Sequence, residues 1–183
     1  GVKEMSVHSF HAHFNLAEGI LPLDLQTART GDWISLANYH NVAIVIFKGV
    51  GTAGDDQTWT LEQADTNAGG NSKALTIPAQ KCWRKSTVTN LLATGVWSDA
   101  SASIVTATPS TYLDATDAED ALILVIDLAA EDLDVTNGFD HVRISNDGAG
   151  SNAQLGCALY VLYNPRFAED TQVSALYVVE ESR

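Results

Sequence analysis

The clearest pattern of apolar and polar positions lies in residues 121–146, ALILVIDLAAEDLDVTNGFDHVRISN. Residues 121–128 are an apolar run rich in Ile, Val and Leu and interrupted only by Asp127. Leu122, Leu124 and Ile126 are expected on one side, Ile123, Val125 and Leu128 on the other. So short a run reads as a strand buried on both faces rather than as a helix. AAEDLD then supplies one helical turn with Leu133 beneath it. Thr136-Asn137-Gly138 supplies a turn, because Asn and Gly reach positive φ at little cost. Alternation resumes over 139–145, with Val142 and Ile144 opposite His141 and Arg143. The pattern predicts strand, corner, strand.

The same reading extends along the chain. VAIVIF (42–47) and QLGCALYVLY (154–163) are again apolar on both faces, while 57–66 alternates, with Trp59, Leu61 and Gln63 opposite Thr58, Thr60 and Glu62. Shorter strands are expected at 20–25 (an edge strand, because of Pro22), 33–36, 81–89, 103–108, 111–113 and 173–179. Turn-rich links and an almost complete lack of helical period point to an all-β fold, an antiparallel jelly-roll-like β-sandwich. Residues 16–183 are expected to form that single domain, and 1–15 an N-terminal arm. The arm's apolar residues, Val2, Met5, Val7, Phe10 and Phe14, fit neither period.

A two-layer sandwich buries one face of each sheet. Three strands that are apolar on both faces therefore leave a surplus that a loop or another subunit must cover. If those strands are inner on both sides, Ile123→Asp or Val161→Asp buries an unpaired charge and severely destabilises the domain. Trp33 and Trp59, in alternating segments, are expected in the core.

Composition changes this picture in one respect. The net charge is −13, from 10 basic and 23 acidic residues, and no Lys or Arg occurs between residues 86 and 141. Neither nucleic acid nor an anionic membrane is expected as partner, since phosphate binding needs clustered cations. No run approaches the length of a membrane span, and no secretory signal is expected at the start of the sequence. Cys82 and Cys157 lie in strand-like segments and are expected as free thiols.

Candidate chemistry is sparse. His8, His11 and His13 could share a metal if their segment turned, but no matched second pair of ligands accompanies them; surface or interface histidines are expected. Asp114, Asp117, Glu119 and Asp120 form an acidic loop without the pattern of a calcium-binding loop, and are expected to be solvated. No nucleophile elbow or phosphate loop is present. No enzymatic activity, cofactor or metal is expected.

Three stretches are similar to a known group. GDWISLANYHNVAIVIFKG (31–49), QTWTLEQADTNAGGNSKAL (57–75), and LAAEDLDVTNGFDHVRIS (128–145) running on to ALYVLYNPRF (158–167) resemble small β-rich, head-associated virion proteins of tailed bacteriophages. The resemblance implies a decoration or cement protein that binds the lattice of the major capsid protein on the capsid exterior. A homo-oligomer is expected, with Val7, His8, Phe10, His11, His13 and Phe14 of the arm contacting a neighbouring subunit or the capsid. The alternative from another class is a carbohydrate-binding β-sandwich of an adhesin, which exposed aromatic residues lining a groove would favour.

Overall fold

A computed structural model describes residues 10–87, 91, 95–148 and 151–166. After a helical turn at Phe10–His13 the strands are β1 (Phe14–Asp24), β2 (Arg29–Thr30), β3 (Ile34–Ser35), β4 (Tyr39–Lys48), β5 (Thr58–Ala64), β6 (Lys73–Ala74), β7 (Cys82–Thr87), β8 (Ser98–Asp99), β9 (Thr111–Leu113), β10 (Ala121–Ala129), β11 (His141–Asn146) and β12 (Leu155–Pro165).

They form two antiparallel sheets packed as a β-sandwich. One sheet, called here the β4 sheet, runs β1-β12-β4-β10-β7-β8. The other, the β5 sheet, runs β2-β11-β5-β6, with β3 also paired to β11 and β9 to β5.

The alternation of side chains along each strand builds the core. Ile44 and Ile46 of β4, Leu122, Leu124, Ile126 and Leu128 of β10, and Tyr160 and Leu162 of β12 point inward from one sheet. Trp59 and Leu61 of β5 and Val142 and Ile144 of β11 meet them from the other. Each large apolar side chain so buried contributes on the order of 1.5–3 kcal/mol. Tyr160 also ties the layers by hydrogen bonds. Its hydroxyl accepts from the Ile144 amide at 3.0 Å and donates to the Asp32 carbonyl at 2.9 Å, in the gap between β2 and β3. The chain passes that gap at Gly31, where a Cβ would lie 2.2 Å from the Ile144 carbonyl oxygen, so only glycine fits.

The corner after β10 has the expected form. A 3-10 turn at Ala130–Asp132 covers the buried Leu133, and a second at Val135–Asn137 ends on Gly138 at φ 83°. Asp132 holds the first turn by accepting the Ala129 amide at 2.7 Å.

Several expectations need correction. Leu128 shares the inner face with Leu122, Leu124 and Ile126, as its even spacing from them requires. Ile123 and Val161 are only half-buried and point outward, so an aspartate at either is not enclosed in the core. Residues 103–108 form no strand; a bridge from Ile104 to Tyr112 and backbone hydrogen bonds of Val105 and Thr108 with Thr111 join them to β9. Trp33 is half-buried and lies under the Arg143 guanidinium, 4.4 Å from the ring centre, while Trp59 is fully buried. Strand pairing begins inside the expected arm, with Phe14 opposite Tyr163 and Asn15 opposite Leu162. The strand expected at 173–179 lies outside the described residues.

Candidate functional site

The surplus of apolar positions emerges on the outer face of the β4 sheet. Register fixes its rows, because paired residues of neighbouring strands point to the same side. Leu16, Val161, Ala43 and Asp127 form one row across β1, β12, β4 and β10. Glu18, Leu159, Val45, Val125, Trp83 and Asp99 form the next, which reaches β8. Cys157, Phe47, Ile123 and Lys85 form the third. Leu16 is 53% exposed, Phe47 49%, Trp83 43% and Leu159 42%. A connected apolar face with large side chains this open is unusual on a monomer's surface, and it is the candidate site of this molecule.

The face has a polar feature at one end and a hollow at one edge. Tyr163 donates to Asp127 Oδ1 at 2.5 Å, and burial raises the Tyr163 hydroxyl's pKa, with Asp127 adding to the effect. At the β7 edge, Trp83 and Trp97, the latter 44% exposed, line a hollow of about 390 Å³ together with Val125. The Lys85 ammonium lies 4.8 Å from the centre of the Trp97 ring.

The N-terminal residues join the opposite edge. The Phe10 and Phe14 rings stack with centres 4.8 Å apart, and Phe14 lies 6.3 Å from the Tyr163 ring. Phe10 is 56% exposed and His13 is exposed beside it. Of the expected arm contacts, Phe10, His13 and Phe14 thus adjoin the apolar face. Val7 and His8 lie outside the described residues, as does the side chain of His11. Among the described residues no group of three or more His, Cys, Asp or Glu side chains gathers as a metal site would require.

The acidic loop is not the solvated run expected from the sequence. Asp114 is fully buried and Asp117 nearly so. The Lys48 ammonium, itself fully buried, lies 2.6 Å from Asp114 Oδ2 and donates to the carbonyls of Asp117 at 2.6 Å and Ala118 at 3.0 Å. Asp117 pairs with Arg84 and accepts from Ser86 Oγ at 2.7 Å. Burial raises the Asp114 pKa to about 6, with Lys48 opposing the shift. Beside this cluster, Gln154 donates to the carbonyls of Gly49 and Ala118, both at 3.2 Å, and accepts from Gln57 at 2.8 Å. Both members of the Lys48–Asp114 pair are fully buried, so the arrangement is a lock between loop and sheets. Its signal in the sequence was Lys48, a lone cation closing an apolar strand.

Both thiols are free. Cys82 is buried on the inner side, with its pKa pushed up to about 12 mainly by burial, and Cys157 is half-buried on the apolar face.

Compared with known proteins, the chain matches no family model, no curated protein and no solved structure.

Proposed function

We propose that the protein is a structural, non-catalytic component of a tailed-phage virion that assembles through the outer face of its β4 sheet and decorates the capsid exterior. The observation that carries this reading is the connected apolar face, with Phe47, Leu159 and Leu16 half exposed or nearly so. The three resembling stretches supply the setting. The acidic composition disfavours nucleic acid and suits docking on a protein surface that presents cations. Phe10 and Phe14 extend the face toward the residues expected to touch a neighbouring subunit or the shell.

The test is a binding assay on capsid particles that lack the protein. Leu159→Asp places a charge in the middle of the face, and removal of residues 1–15 takes away its N-terminal border. Each is expected to lower occupancy at least about tenfold, the loss that one uncompensated charge or two apolar anchors produce at an interface. Folded variants that both bind with unchanged occupancy overturn the reading.

The Trp83–Trp97 hollow favours the carbohydrate reading, since exposed indoles stack on the apolar faces of sugar rings. Its lining of two indoles and Val125 offers few partners for sugar hydroxyls, which weighs against it. A glycan array with hits lost on Trp83→Ala would reverse that preference.

A further inference from the structure

We propose that Lys48 and Asp114 join covalently in the folded chain: the Lys48 amine condenses with the Asp114 side-chain carboxyl group, giving one water and an isopeptide bond between the two sheets. The inference concerns groups that the assembly reading does not use.

The strands themselves place the pair. Val42, Ile44, Ile46 and Lys48 alternate onto the inner face of β4, so the last side chain points into the core as the others do. Asp114 directly follows β9, which pairs with β5, and its amide donates to the Gln57 carbonyl at 2.9 Å. An amine from one sheet and a carboxyl group from the other thus meet with both side chains fully buried and Nζ 2.6 Å from Oδ2. The carbon to be attacked is one bond beyond that oxygen. A lysine amine is a competent nucleophile once it is neutral, and reacting groups fixed in this way behave as if present at about 10⁵–10⁸ M.

The surroundings favour reaction over a resting ion pair. Among the described residues neither oxygen of Asp114 accepts a hydrogen bond, so the carboxylate lacks the donors that stabilise a buried anion. Burial and the nearby Asp117 carboxylate favour its protonated form, against the charges of Lys48 and Arg84. Lys48 Nζ donates to the carbonyls of Asp117 at 2.6 Å and Ala118 at 3.0 Å. Those bonds use two of its three protons and leave the third for Asp114. After that transfer the nitrogen lone pair faces the carboxyl group that has just been protonated. Attack on Cγ forms the C–N bond. The C–O bond then breaks, and the oxygen leaves as water with two of the three ammonium protons; the last stays on the amide nitrogen. An ammonium and a carboxylate give a neutral amide and water, so charge balances. The amide N–H keeps the Asp117 carbonyl as its acceptor, and the Ala118 carbonyl retains the donor from Gln154. Replacing two buried charges by one neutral group removes their desolvation cost, and the closed core keeps out the water that would reverse the step.

The test is intact-mass spectrometry on the full chain, kept folded near neutral pH and then denatured, with a tryptic map of the same sample. The wild type is expected to be lighter than its sequence by one water. Trypsin is expected to leave Lys48 uncut and to release residues 30–73 joined to residues 86–143. Lys48→Met and Asp114→Ala are each expected to show the full mass of their sequences. A folded wild type of full mass overturns the inference and leaves the two groups an ion pair. Loss of water with the two peptides separate also overturns it, since cyclisation of an Asp or Asn onto the backbone gives that result. So does a loss of water that persists in folded Lys48→Met or Asp114→Ala. Because the wild type itself is read, a variant that fails to fold does not shield the inference. Whichever form the wild type takes, Lys48→Met leaves Asp114 a free acid in the core, and particle binding by the outer face is judged separately.

Discussion

On β5 and β11 the side chains that point away from the core are Thr58, Thr60, Glu62, His141, Arg143 and Ser145; on β4, β10 and β12 they are Val45, Phe47, Ile123, Val125, Leu159 and Val161. The inner faces of the two sheets are alike, and the outer faces differ. On the β5 sheet, Arg143 reaches across to Glu62 with contacts of 3.0 and 2.6 Å and lies over the half-buried Trp33 ring, so the tryptophan beside this sheet is partly covered by a paired cation. On the β4 sheet the two tryptophans at the edge stand open. One sheet is finished for water. The other leaves large apolar side chains open, as the proposed assembly surface requires.

The sharpest way to break this comparison uses two neighbours on one strand. Leu124 is fully buried and Ile123 points outward. Leu124→Asp is expected to abolish folding, since a carboxylate with no partner in the core costs several kcal/mol, much of a domain's whole stability. Ile123→Asp is expected to stay folded, with a loss of about 1–2 kcal/mol from strand propensity and partial burial. Urea unfolding followed by circular dichroism checks both. Equal losses would mean that the β4 sheet has no outer face.

A smaller effect comes from the one ion pair fully buried between the sheets among the described residues. Lys48→Met leaves Asp114 in the core without its cation, and is expected to cost about 3–5 kcal/mol at pH 8. The cost depends on pH. The folded Asp114 pKa, about 6, is above its ordinary value of 3.8, so the stability linked to its proton is fully present below 3.8 and lost as pH rises through about 6. Without Lys48, which holds the value down, the carboxyl group keeps its proton to higher pH in the folded state. The deficit of the variant relative to wild type should therefore shrink between pH 8 and pH 5. Unfolding free energies measured across that range test this; a deficit that does not change with pH contradicts it.

How much of this was legible in the sequence depends on the distance over which each feature is decided. Alternation is local, so the strands at 42–47, 57–66 and 121–128 and the corner ending at Gly138 could be read directly. The two-faced strands also showed that an apolar surface would be left over. Pairing order is not local. The chain alone did not show that β12 lies between β1 and β4, and so it could not show that the surplus of three strands forms one face. The buried acids failed for the same reason. A run of Asp and Glu normally faces water, and only Lys48 and Arg84, distant in sequence, draw Asp114 and Asp117 inward. Trp83 and Trp97 meet across β7 and the segment after it, a contact that spacing does not reveal.

The outer face carries its own reporter. Cys157 lies in its third row, while Cys82 is fully buried on the inner side, with its pKa pushed up to about 12. Only the thiolate reacts with alkylating reagents, so Cys82 should label slowly in every folded state. The most direct measurement is the rate of iodoacetamide labelling at each thiol of the wild-type protein, read by mass spectrometry, in dilute solution and on capsid particles. If the face is the assembly surface, Cys157 labels faster than Cys82 in dilute solution and slows at least about tenfold when assembled, with Cys82 unchanged. Labelling of Cys157 at the same rate in bound and dilute protein would show that the face stays open in the assembly, and would contradict the account.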